Sequence, residues 1–391
     1  MSSLSLTGRD PARGTPVEVT IQGGVISRIS DLPEPAVPAD QWILPGLVDI
    51  QVNGYGGVDL NGPDLDVAGV CRVVRSLQVL GVTRFCPTIC THSRERMTRA
   101  LRVVAEACRQ HSWIERAVGG IHVEGPYISP EDGPRGAHPR EHVRGPDWEE
   151  FEAFQQAAGG RIRILTLSPE WPGAAAFIRR VAASGVVVAI GHTAASPEAL
   201  REAIAAGARL STHLGNGAHA TLPRHPNYIW EQLAADELSA SIIVDGQHLP
   251  PAVVKTFVRA KGIGRTILIS DAVALAGMPP GDYDWLGLRV TLSAEGRISL
   301  TGTPYLAGSV LDLGSALVKV MAFAGVTLAD AVTMATVNPA RLLGIEPGTL
   351  AEGARADLVV IRVNARASRS EVIRTVVGGE MVWEANLLHN A

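Results

Sequence analysis

The chain has 391 residues, 46% of them apolar and 19% charged, with a formal net charge of -4. That length allows one large core and a smaller accessory module, and the mildly acidic balance excludes the basic footprint of a nucleic-acid binder. No apolar run approaches the roughly 20 residues of a membrane-crossing helix, and residues 1–10 lack the charged start and apolar stretch of a signal peptide. The expected setting is therefore cytoplasmic, with neither membrane nor nucleic acid as partner. Cys71, Cys86, Cys90 and Cys108 form no CxxC pair, so they are expected to be buried small apolar residues in a reducing compartment.

Residues 1–44 have the texture of short strands and turns: 17–21, a turn at Gly23-Gly24, then 25–29, and a Pro-rich loop at 33–40. A similar texture returns at 357–361 and 376–383. Between the ends, continuous apolar runs alternate with helical patterns such as 94–111 and 197–206. Eight such runs occur, at 47–52, 84–88, 117–123, 162–167, 186–190, 209–212, 241–244 and 266–269. Apolar runs without alternation fit strands buried on both faces, as in a parallel sheet. Eight βα units in about 250 residues match a barrel, whereas no GxGxxG follows an early strand to favour an open doubly wound sheet. The fold class is α/β: a (β/α)8 TIM-type barrel over 45–347, with a small β-sandwich made by 1–44 together with 348–391.

Polar residues fall just past the ends of these runs. Gln51 and Asn53 close the first, Glu124 the third, His192 the fifth, His213 the sixth and Asp271 the eighth, while His248 follows the seventh. In a barrel these positions share one mouth, where such enzymes carry their chemistry. A lone His or Asp at a strand end is usually a structural or solvated residue; four corresponding strand ends bearing such groups are not. Two imidazoles and a carboxylate, Glu124, His192 and His213, match a catalytic zinc site with a coordination position left open for water. Iron, manganese or cobalt would fit these ligands almost as well. One divalent ion there would lower the pKa of a water towards about 7, and Asp271 could take its proton and hand it to a leaving amine. His92, His111 and His389 have no comparable setting and read as surface or structural; the roles of His142 and His225 stay open. None of the three lysines, Lys255, Lys261 and Lys319, ends a barrel run, which argues against a carboxylated lysine bridging two metals.

Seven segments then carry a family likeness: 45–54 (PGLVDIQVNG), 122–127 (HVEGPY), 135–138 (RGAH), 191–193 (GHT), 212–216 (THLGN), 245–248 (DGQH) and 270–272 (SDA). In this order and spacing the chain resembles the N-acetylglucosamine-6-phosphate deacetylases of the amidohydrolase superfamily. The likeness runs through essentially the whole chain, including Asn338-Pro339-Ala340 and residues 353–357. Where many amidohydrolases carry His-x-His, this chain has Gln51-Val52-Asn53, as in the single-metal deacetylases. The resemblance implies one metal on Glu124, His192 and His213, with Asp271 as acid/base and His138 beside it as a catalytic and substrate-contacting residue. It further implies that Gln51, His248, Asn216 and the backbone of Gly217 face substrate, that Arg224 pairs with a sugar phosphate, and that the protein is a homodimer. The implied reaction is hydrolysis of N-acetylglucosamine-6-phosphate to glucosamine-6-phosphate and acetate.

Two stretches depart from the family pattern. The usual aromatic-Asn-Ala-Met run is Gly215-Asn216-Gly217-Ala218 here, and the glycine-rich stretch after Arg224 is replaced by residues 225–231 (HPNYIWE). Both lie beside the sugar and phosphate positions rather than the metal. They leave open another N-acyl sugar, a non-phosphorylated or epimeric one, or a cyclic amide.

Overall fold

The computed structural model describes residues 3–285, 288–302, 306–364 and 369–385. Its centre is eight parallel strands: β1 (Leu47–Val52), β2 (Val82–Cys90), β3 (Ile121–Glu124), β4 (Ile162–Leu167), β5 (Val187–Ile190), β6 (Ala208–Ser211), β7 (Ser239–Ile242) and β8 (Thr266–Leu268). Each pairs with the next in chain order. The ring closes where Val52 bridges Ala272 in parallel and the Asp271 N–H donates to the Gln51 carbonyl at 3.0 Å. Asp49 reinforces this seam by accepting from the backbone N–H groups of Gln51 and Ser270.

Every residue of β1 is buried, as are five of the six in β4. That explains the continuous apolar runs: one face packs inside the barrel and the other against helices. The helix Arg94–Gln110 buries Met97, Ala100, Leu101, Val104, Ala107 and Cys108, the spacing of one helical stripe, and Ser93 caps its start by accepting from the Arg96 N–H. Pro197–Ala206 starts on a Ser196 cap with Pro at the first turn.

The termini meet in one seven-stranded sheet, ordered Glu380–Glu384, Arg369–Val377, Leu358–Asn364, Gln41–Pro45, Leu4–Arg9, Pro16–Gln22 and Val25–Asp31. It folds over on itself, since the Ala356 N–H donates to Gly24 O and the Gly379 N–H to Ala356 O, each at 2.9 Å. Leu6, Val19, Ile26, Ile43, Val360 and Ile373 fill the enclosed core. The expected sandwich is thus a single folded sheet.

Three of the expected runs moved by two residues or more at an end. The run at 117–123 splits into the helix Ser112–Ala117 and β3, broken at Gly119-Gly120. β2 extends to Cys90, beyond the expected 84–88. β7 ends at Ile242 because Ile243 and Val244, although fully buried, have left the ladder to turn towards Asp245. Burial made them look like strand; pairing did not follow. A three-stranded sheet (Gly281–Trp285, Leu288–Leu292, Ile298–Leu300) was not anticipated. Among the described residues no helix is long and apolar enough to cross a membrane.

Phe154 is fully buried in the barrel's outer layer. Phe154→Ala should lower the unfolding free energy by about 3–5 kcal/mol, read from denaturant midpoints at unchanged slope.

Candidate active site

Barrel geometry brings the strand-end residues together. Glu124 ends β3, while His192, His213 and Asp271 stand two or three residues past β5, β6 and β8. These last three hold φ values of 49°, 30° and 49°, the only positive ones outside glycine among the described residues. Such backbone costs on the order of 1–3 kcal/mol per residue and persists only where neighbours enforce it. The neighbours are visible: the His213 N–H donates to Ser241 Oγ at 2.8 Å, the Asp271 N–H to Gln51 O, and the Ser129 N–H to His192 O at 2.9 Å.

Glu124 Oε1 lies 2.9 Å from His213 Nε2 and 3.3 Å from His192 Nε2, and the two Nε2 atoms are 3.0 Å apart. All three residues are buried. The His192 Nδ1 faces the Pro134 carbonyl at 2.8 Å, which places the ring proton on Nδ1 and leaves Nε2 a lone pair. Three electron-pair donors meeting this closely repel one another unless a cation sits among them. The set could hold a metal ion, and a tetrahedral ion with bonds of about 2.0–2.1 Å spreads its ligand atoms about 3.3 Å apart. Burial alone would push the Glu124 carboxyl up, but hydrogen bonds and charge from His192 and His213 hold it well below the usual range. Burial likewise works against a proton on His213, and Glu124 outweighs it. The pocket selects positive charge in either case.

Gln51 Nε2 donates to Glu124 Oε1 at 2.9 Å, so its amide nitrogen is committed to the carboxylate. Asn53 Nδ2 donates to Asp271 Oδ1 at 2.7 Å. Burial and the nearby Glu124 charge raise the Asp271 carboxyl to about 6, near the range useful to a general base. His138 packs edge-on against His192 with ring centroids 4.4 Å apart, and burial, the largest cause, lowers it to about 3. It is a neutral imidazole at any working pH. His122, beneath Glu124 on β3, is no ligand: it bonds Ile50 O and Thr166 Oγ1, and burial lowers it to about 4.

The remaining predicted positions ring this centre. The Asn216 amide donates to His213 O at 3.2 Å. A Cβ at Gly217 would fall 2.7 Å from His192 Nδ1, so the backbone there closes directly on the imidazole. His248 Nδ1 and Asp245 Oδ2 are 2.6 Å apart, and Lys319 donates to the Asp245 carbonyl. Arg224 is exposed and forms no ion pair among the described residues. His92 and His142 stack on each other, centroids 4.4 Å apart, and His111 precedes a helix; His389 lies outside the described residues.

One residue was missed. Cys90 is only partly buried, and its Sγ lies 3.0 Å from Asn53 Oδ1 and 3.4 Å from Glu124 Oε2. Reading all four cysteines as buried apolar fillers is corrected here, and Cys71 is also only partly buried. The signal was available: Cys90 ends the second strand, the same place that singled out Glu124.

An amidohydrolase family model matches residues 42–382. The chain is 33% identical over 350 residues to an N-acetylglucosamine-6-phosphate deacetylase of Bacillus subtilis (strain 168), covering 88% of this chain and 86% of that one. It is also 33% identical over 347 residues to an N-acetylgalactosamine-6-phosphate deacetylase of Shewanella sp. (strain ANA-3), covering 88% and 84%. Among solved structures, a mutant deacetylase from Mycobacterium smegmatis in complex with N-acetyl-D-glucosamine-6-phosphate matches with a TM-score of 0.84 at 31% identity, over 98% of this chain and 100% of that one. The chain belongs to the amidohydrolase family, in its N-acetylglucosamine-6-phosphate deacetylase branch. It is an enzyme of hydrolytic deacetylation.

Removing the cation-holding set is directly measurable. Glu124→Gln and His192→Ala should cut bound metal from about one ion per chain to near zero by elemental analysis. In the unaltered protein, adding free metal at 100 times its Kd to chelator-treated sample should stabilise the fold by about 2.7 kcal/mol, and in the two variants it should not.

Proposed function

We propose that this enzyme hydrolyses the N-acetyl group of N-acetylglucosamine-6-phosphate, releasing acetate and glucosamine-6-phosphate. The observation that carries the reading is the half-buried Asp271 carboxylate, with its raised pKa, on the strand end that completes the same mouth as Glu124, His192 and His213. These three would hold one divalent ion, for which zinc is our choice by donor set, with iron, manganese or cobalt as further fits. Such an ion, when bound, polarises a carbonyl and lowers the pKa of a water.

The chain's own groups would do the rest. Asp271 takes a proton from the attacking water as its oxygen bonds the acetyl carbon. It then passes that proton to the sugar nitrogen as the C–N bond breaks, so acetate leaves and a free amine remains. Neutral His138 donates an N–H to the oxyanion that forms on the carbonyl oxygen. Asn216, the Gly217 backbone, His248 and the carbonyl end of Gln51 would face the sugar. Arg224 offers the phosphate a planar pair of donors, and its exposure fits a guanidinium that reaches a second copy across a homodimer. Segments 1–44 and 348–391 form the accessory β module, and 45–347 the catalytic one.

The match to the Shewanella relative at equal identity, and the departures at 215–218 and 225–231, favour testing the galacto epimer beside the gluco one. Acetate release from both 6-phosphates and from the plain sugars decides this. No turnover of any N-acetylated sugar phosphate by metal-replete protein would sink the substrate assignment.

Asp271→Asn should lower kcat by about 10²–10⁴-fold while metal content holds. Arg224→Ala should raise KM for the phosphorylated sugar by roughly 10-fold or more and leave the plain sugar unchanged. Because Asp271 must be ionised to accept, kcat/KM should fall as pH drops through its pKa. The acid limb should lie at or below about 6, since a cation nearby can only lower it.

A further inference from the structure

Cys90 closes β2 at the barrel mouth, between Asn53 after β1 and Glu124 at the end of β3. Its sulfur is closest to Asn53 Oδ1, at 3.0 Å, and the other end of that amide donates to Asp271 Oδ1 at 2.7 Å. Three strand ends are thus linked through one side-chain amide. A thiol has a single hydrogen to give.

An amide side chain has an accepting end and a donating end. While Asp271 is ionised, it and Cys90 both require the arrangement seen, with oxygen to the thiol and NH2 to the carboxylate. Once Asp271 carries the proton it took from water, that requirement lapses on its side. Its carboxyl can then donate, and a turned Asn53 would offer Oδ1 to it and hold the proton away from the departing nitrogen. The thiol asks for the same orientation in both states. We infer that Cys90 is a positioning residue, whose S–H keeps the Asn53 NH2 towards Asp271 throughout the proton shuttle. The inference rests on the role of Asp271 proposed above.

The test compares Cys90→Val, of similar size without a donor, with Cys90→Ser, which keeps one. On the metal-replete enzyme with its N-acetylated sugar phosphate, Cys90→Val should lower kcat roughly five- to tenfold, with KM, metal content and Tm unchanged. Cys90→Ser should recover most of the loss. Independently of turnover, the infrared S–H stretching band that disappears in Cys90→Val should move to higher frequency in Asn53→Leu, which removes the closer acceptor at 3.0 Å and leaves only Glu124 Oε2 at 3.4 Å. The inference is overturned by a Cys90→Val enzyme with full kcat, by equal impairment of the Val and Ser variants, or by an S–H band unmoved in Asn53→Leu. It is also overturned if Cys90→Val loses metal while kcat per bound metal holds, which would assign the thiol to Glu124. If the unaltered enzyme cleaves no such substrate, the proposed function fails, and the infrared comparison still decides whether the thiol serves Asn53.

Discussion

Three electron-pair donors, Glu124 Oε1 and the Nε2 atoms of His192 and His213, are held within 2.9–3.3 Å of one another in a buried pocket. In water such groups would separate; inside the barrel they are kept together by backbone they do not themselves control. The arrangement is stable only around positive charge, and this requirement organises what surrounds it. Gln51 steadies the carboxylate, Pro134 O fixes the His192 tautomer, and His138 is kept neutral against the ring. Asp271 feels the same pocket from the other side: burial and the charge of Glu124 make it reluctant to ionise, which suits the proton-carrying role proposed for it.

The strain that creates this convergence is local and identifiable. Among the described residues the three outside glycine with positive φ, His192, His213 and Asp271, are all strand-end residues of the site, where the chain turns from ladder into loop and must aim a side chain across the mouth. The opposing restraints are ordinary hydrogen bonds from neighbouring strands, Ser241 for His213 and Gln51 for Asp271. The rigid ring therefore pays locally for functional geometry, as strained active-site backbone generally requires.

The departures from the family pattern now have a physical setting. Gly217 brings backbone directly onto the His192 ring. Tyr228, from the altered stretch, has its hydroxyl on His219, which also meets Glu131 from the loop after β3. These changes lie in the cavity wall beside His192 and leave the Glu124, His192 and His213 donor atoms alone. Deacetylation depends on the rim of the barrel, which these changes do not touch, and the sugar specificity we propose would depend on the loops.

The amino-acid sequence by itself determined the barrel and the composition of its mouth. Unalternated apolar runs mark strands buried on both faces, and the residue after each run must lie on the common rim, so Glu124, His192, His213 and Asp271 were legible as a set. It misplaced β7, because Val244 is buried without being paired, and it took Cys90 for filler, because apolar burial and polar contact look alike in a thiol. Only the tertiary structure decided which atoms meet: that Gln51 turns to Glu124, that Asn53 turns to Asp271, and that Cys90 joins them. Such pairings depend on side-chain and loop directions set by contacts between residues far apart in the chain, such as Asn53 and Asp271, 218 residues apart, and no local pattern encodes them.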